Sequence, residues 1–196
     1  MKFPIGKKKE FRPDREGTGQ LNKLWPTPKQ QLRALRWILF SAVCLVGLLA
    51  QDVLLYRINV LGGCTDVVPC LILMVAVLQG AENGSVFTLI LSVLYYFSGS
   101  SPGFYVIPML TVVTVFVVIF RQAFLRQGFF TLLLCAALGM VLYELGLFAV
   151  TLFLKLTVTD RMGAALSTAL ISLAVVPLAY PALLAIGKLG GETWKE

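Results

Sequence analysis

The chain has 196 residues, 58% of them hydrophobic and 14% charged, whereas about a quarter of residues are charged in an average soluble domain. That balance excludes an ordinary soluble domain and reads as an integral membrane protein. The chain contains no His, which excludes Ser-His and Cys-His pairs, His-rich zinc sites and the His-Glu-x-x-His metalloprotease helix.

Residues 1–36 are polar and basic, with Pro4, Pro13, Pro26 and Pro28 interrupting any long helix. They are expected to form a disordered cytoplasmic tail ending in a surface segment, where Leu32, Leu35, Trp37 and Ile38 lie among Lys29, Arg33 and Arg36. Two readings of that segment stand together. Each cation could contribute about 1 kcal/mol of attraction to anionic membrane lipid, or the charges could serve only as a topology signal. No short basic start with a brief apolar stretch and a small-residue cleavage site precedes the first span, so that span is expected to be retained.

Residues 37–187 read as the transmembrane helical domain and 188–196 as a short cytoplasmic tail. A helix needs roughly 20 apolar residues to cross about 30 Å of hydrocarbon. Residues 37–55 suffice, with Gln51 and Asp52 placing the far end at the interface. Residues 67–78 and 86–97 are short. Residues 58–65 and 98–102 can lengthen them, but Gly62, Gly63, Pro69, Gly99, Pro102 and Gly103 make those extensions irregular, which at depth requires cover by protein or a water-filled cavity. Residues 104–120, 129–154 and 162–186 each suffice for a crossing. The reading is an all-α polytopic bundle of about six transmembrane helices, the second and third short or irregular; four spans with a re-entrant pair is the alternative.

Loop charge orients the bundle. With the amino terminus inside, ten cations of the tail, Arg121, Arg126, Lys188 and Lys195 face the cytoplasm, and Arg57, Lys155 and Arg161 face outward. Under the positive-inside rule both termini are expected in the cytoplasm. The +7 formal charge lies mostly on that face, which suits anionic lipid and acidic protein surfaces, not nucleic acid.

Glu144 is the one carboxylate within the long apolar runs. A carboxylate at depth is costly and is a candidate functional residue; the alternative is a neutral acid hydrogen-bonded to a neighbouring helix. No phosphate-binding Gly-x-x-x-x-Gly-Lys-Ser/Thr loop and no clustered carboxylates for magnesium occur, so neither an enzyme activity nor a cofactor is expected. Cys44, Cys64, Cys70 and Cys135 lack Cys-x-x-Cys spacing; a Cys64–Cys70 bridge and free buried thiols both fit.

Small residues mark candidate packing faces. Ala136, Gly139, Tyr143, Gly146 and Val150 recur at helical steps on one face, with Glu144 about 100° round the helix. Ala165 and Ala169 form a small-x-x-x-small pair. Pro177 and Pro181 bracket Leu178, Ala179 and Tyr180 and should kink the sixth span. Ordinary bundle packing and a ligand site both accommodate these features.

Four features occur in order: Thr65-Asp66-Val67-Val68-Pro69 opening the second span, Gly80 to Gly84 before a third span that ends at Gly99 and Gly103, Leu142-Tyr143-Glu144-Leu145 in the fifth, and Pro177-Leu178-Ala179-Tyr180 in the sixth. Over residues 37–187 the chain resembles the MreD family of bacterial rod shape-determining membrane proteins. The resemblance implies a non-enzymatic scaffold in the cell membrane, supporting cell shape and lateral peptidoglycan synthesis. Its implied partners are an MreC-like protein, MreB-like filaments, a RodA-like glycosyltransferase and a class B penicillin-binding protein. Tyr143, Glu144 and Asp66 are then candidate polar or assembly contacts, and Gly139, Gly146, Ala165, Ala169, Pro177 and Tyr180 candidate packing positions. The rival reading is the substrate-binding subunit of an energy-coupling-factor vitamin transporter, with loops at 62–66 and 98–103 over an outward pocket and Glu144 as a ligand contact. Against it, Ala42 is followed four residues later by Val46, so the first span lacks the Ala-x-x-x-Ala face of such subunits.

Overall fold

The computed structural model describes residues 28–53, 59–60, 63–125 and 128–189. In chain order these form α1 (Pro28–Val53), β1 (Asn59–Val60), β2 (Gly63–Cys64), α2 (Val67–Gln79), α3 (Ala81–Phe97), α4 (Val106–Phe124), α5 (Phe129–Phe153), a 3-10 turn (Thr159–Arg161), α6 (Met162–Ser172) and α7 (Val175–Lys188). Among the described residues the fold is helical apart from the two short strands, which pair antiparallel with Asn59 opposite Cys64. Among the described residues three helices, α1, α4 and α5, are long and apolar enough to cross a membrane; a fourth crossing follows if α6 and α7 form one bent span. Their outward faces carry exposed Val46, Leu49, Val112, Phe116, Phe130 and Leu134, the inverse of a soluble protein's pattern and the surface that hydrocarbon favours.

Three elements depart from the sequence expectation. Helix α1 begins at Pro28, inside the segment assigned to the tail, because proline is preorganised for the first helical position, where its missing N–H costs nothing. Residues 1–27 of that tail lie outside the described residues. Helix α3 starts at Ala81, so Gly84 is inside the helix and does not precede it. The sixth segment is two helices bent by 41°, not one continuous span. Pro177 has no N–H to donate to the carbonyl of Leu173, so the ladder fails one turn upstream, and Val176 N–H takes that carbonyl at 3.0 Å in a tighter turn.

The centre of the molecule is α2. All of its residues from Val67 to Leu78 are buried, and it touches α1, α3, α4, α5 and α7. This accounts for its uniformly apolar sequence: a helix covered on all sides has no polar face to display. Glycines on three neighbours allow the close approach. A Cβ at Gly84 of α3 would lie 2.6 Å from the Ala76 carbonyl oxygen, one at Gly139 of α5 2.9 Å from Leu73 Cδ1, and one at Gly47 of α1 2.3 Å from Leu71 Cδ1.

Helices α2 and α3 form an antiparallel hairpin turned at Gly80, whose φ of +88° lies in the region that favours glycine. From Gly80 back to Asp66 and forward to Tyr95 the chain climbs about 21–23 Å at 1.5 Å per residue, so the two arms end level. Cys44, Cys70 and Cys135 are free and buried, which selects the free-thiol alternative for Cys70.

Candidate functional site

The polar groups converge where the hairpin opens. Asp66 is the residue before α2, and its Oδ1 accepts the Tyr95 hydroxyl at 2.8 Å and Gln51 Nε2 at 3.0 Å. Its N–H donates to Ser172 Oγ at 2.9 Å. Gln51 Oε1 accepts the N–H groups of Val67 and Val68, both at 2.9 Å, and so caps α2 from a neighbouring helix. The first N–H groups of a helix have no intrahelical acceptor, and Asp66 provides no side-chain cap of its own. One amide thus serves the helix start and its flanking carboxylate together. The other end is treated alike: Arg121, in the last turn of α4, donates from Nη1 to the Val77 carbonyl.

Beside this network lies a partly open cavity of about 210 Å³ lined by Gln51, Asp52, Thr65, Asp66, Tyr95, Ser100, Pro102, Glu144, Leu147 and Thr168. Ser100 Oγ donates to Asp52 at the mouth, and Thr168 Oγ1 donates to the Ala164 carbonyl. Glu144 is 8% exposed and makes no hydrogen bond among the described residues. The cavity therefore combines three acids with the hydroxyls of Tyr95, Ser100 and Thr168, whose hydrogens are already engaged.

The sequence-predicted residues do not gather as one set. Glu144 and Asp66 share the cavity although 78 positions apart in sequence. Tyr143 does not line it: its ring is fully buried and its hydroxyl has no partner, so the Tyr143 and Glu144 pair divides between core and cavity. Glu144 is also shallower than its place in an apolar run suggests. Glu144 lies nine residues before the end of α5, whereas Gln51 and Tyr95, which line the same cavity, each lie two residues before the end of their own helix.

The packing positions are spread through the bundle. Gly139 meets α2, and Gly146 faces Met109 of α4. Ala169 is fully buried while Ala165 is half-buried. Pro177 is exposed, and Tyr180 packs edge-on against Phe129 with centroids 4.9 Å apart.

Gln51, Tyr95, Thr168, Ser172 and Arg121 were not singled out from sequence as site residues. Gln51 reads there as an interfacial amide, and Arg121 as a loop charge. Arg121 is instead 8% exposed inside α4. A polar residue near the end of an apolar run was the available signal; what it caps depends on which helix end lies beside it. Compared with known proteins, the chain matches no family model, no curated protein and no solved structure.

Proposed function

We propose that this chain is a non-enzymatic scaffold of the cell membrane, an MreD-like subunit of the bacterial elongation machinery that supports cell shape and lateral peptidoglycan synthesis. The observation that carries this reading is the use of its central polar groups. Gln51, Asp66, Tyr95 and Ser172 are joined to one another and to the start of α2, binding four helices into one body. Polar atoms committed to such a network hold a platform against which single-span partners can pack. The partners in this reading are an MreC-like protein, MreB-like filaments, a RodA-like glycosyltransferase and a class B penicillin-binding protein.

The same reading has six crossings and both termini in the cytoplasm. Helix α2 is only about 20 Å long, but Gln51 and Arg121 satisfy its two ends, so protein groups replace the water that a short helix would otherwise need. The cation bias toward the tail, Arg126 and the carboxyl terminus supports the orientation.

Affinity purification of tagged protein from its native membrane tests the proposal. Recovery of an MreC-like protein with a class B penicillin-binding protein, together with rounding of rod-shaped cells on depletion, is the expected result. The partly open cavity favours one other reading, the substrate-binding subunit of an energy-coupling-factor transporter. Recovery of an ATPase pair with a coupling protein would replace the scaffold by that subunit.

A further inference from the structure

The cavity beside Asp66 is small and rich in acceptors. Its volume of about 210 Å³ lies below the range of roughly 300–1,000 Å³ usual for drug-sized ligands. Asp66 and Glu144 form part of its wall, with Asp52 near Ser100 and Pro102. The hydroxyl hydrogens of Tyr95, Ser100 and Thr168 point to Asp66, Asp52 and the Ala164 carbonyl respectively. Both hydrogen bonds to the Asp66 carboxylate fall on Oδ1, leaving Oδ2 for another donor. Glu144, more than nine-tenths buried, has both oxygens without a hydrogen-bond partner among the described residues. Among the described residues no Lys or Arg lines the cavity.

An occupant complementary to this wall must bring donors and positive charge. Among the described residues no three His, Cys, Asp or Glu side chains are grouped closely enough to hold a metal ion between them. An ammonium group has three N–H donors and no acceptor, and Leu147 and Pro102 offer apolar surface to a short carbon stem. We propose that the cavity between Asp66 and Glu144 binds a single primary alkylammonium group. A free amine solute and a lysine side chain of a partner protein present the same group. This assignment rests on the cavity and goes beyond the scaffold reading, which stands or falls separately on partner recovery.

The test is thermal unfolding of the full chain, purified in nanodiscs and titrated with n-butylammonium chloride, with sodium chloride at equal ionic strength as the reference. A ligand of so few atoms binds weakly, so millimolar concentrations are required. Wild-type protein is expected to show a saturable upward shift of its midpoint above the sodium reference. Glu144→Gln keeps the shape of the side chain and loses no hydrogen bond, so the unliganded midpoint should hold while apparent affinity falls at least tenfold. Absence of a saturable shift in wild type, or an equal shift in Glu144→Gln, would overturn the assignment. Two arms identify the source: mass spectrometry of amines released from wild type but not from Glu144→Gln marks a solute, and carbodiimide coupling of Glu144 to a partner lysine marks a protein.

Discussion

Tyr95 donates its hydroxyl to Asp66 Oδ1 at 2.8 Å, closing the open end of a hairpin whose turn is at Gly80. The bond joins the two helices that sequence left as uncertain crossings. Tyr95→Phe removes one hydrogen bond to a carboxylate and leaves the ring packed. A loss of about 1.5–3 kcal/mol in stability is expected, read as an earlier unfolding transition in detergent. An unchanged transition would show that Gln51 alone suffices to hold the Asp66 carboxylate.

Gln51 has a wider effect. Gln51→Leu strips the acceptor from the buried Val67 and Val68 N–H groups and one of two side-chain donors from the part-buried Asp66 carboxylate. At about 1–3 kcal/mol for each unsatisfied group, this variant should accumulate poorly in the membrane. It should also unfold before Tyr95→Phe. Equal stability of the two would remove the capping role.

The glycines around α2 differ in what they face, which sets an order. Gly84→Ala drives a methyl toward the Ala76 backbone, which cannot move aside, while Gly139→Ala meets the flexible tip of Leu73. Overpacking costs about 1–3 kcal/mol, so Gly84→Ala should fall at the upper end and Gly139→Ala at or below the lower. Denaturation of the two single variants in one detergent checks the order, and a reversed order would contradict the close α2–α3 contact.

Six crossings make a specific claim about the hairpin turn. Glu82 is exposed at the start of α3, beside Gly80. A cysteine placed by Glu82→Cys should react with a membrane-impermeant maleimide only from the cytoplasmic face, and one placed by Ser98→Cys only from outside. Protection of the Glu82→Cys site from both faces would mean a re-entrant pair and four crossings.

Much of the helical architecture was legible because lipid and a buried core both demand long apolar runs, and runs such as 129–154 leave little ambiguity. The candidate site was legible only in part. Glu144 stood out as an acid among apolar neighbours and Asp66 as the residue opening a span, but Tyr143, adjacent in sequence to Glu144, turned into the core. Gln51, Tyr95 and Ser172 carry no local mark, since an amide or hydroxyl near the end of an apolar run is equally an interfacial residue.

The sequence by itself determined that this is a membrane-type helical chain, which segments are apolar enough to be helices, and where its rare acids sit. These are properties of local composition and period. Only the tertiary structure decided that α2 becomes the buried axis, that Glu144, well inside α5, meets Gln51 and Tyr95 near the ends of their helices, and that Asp66 and Glu144 share a cavity. Those relations depend on which helix ends lie side by side. Glycine contacts and the satisfaction of exposed helix termini fix that choice across segments far apart in the chain.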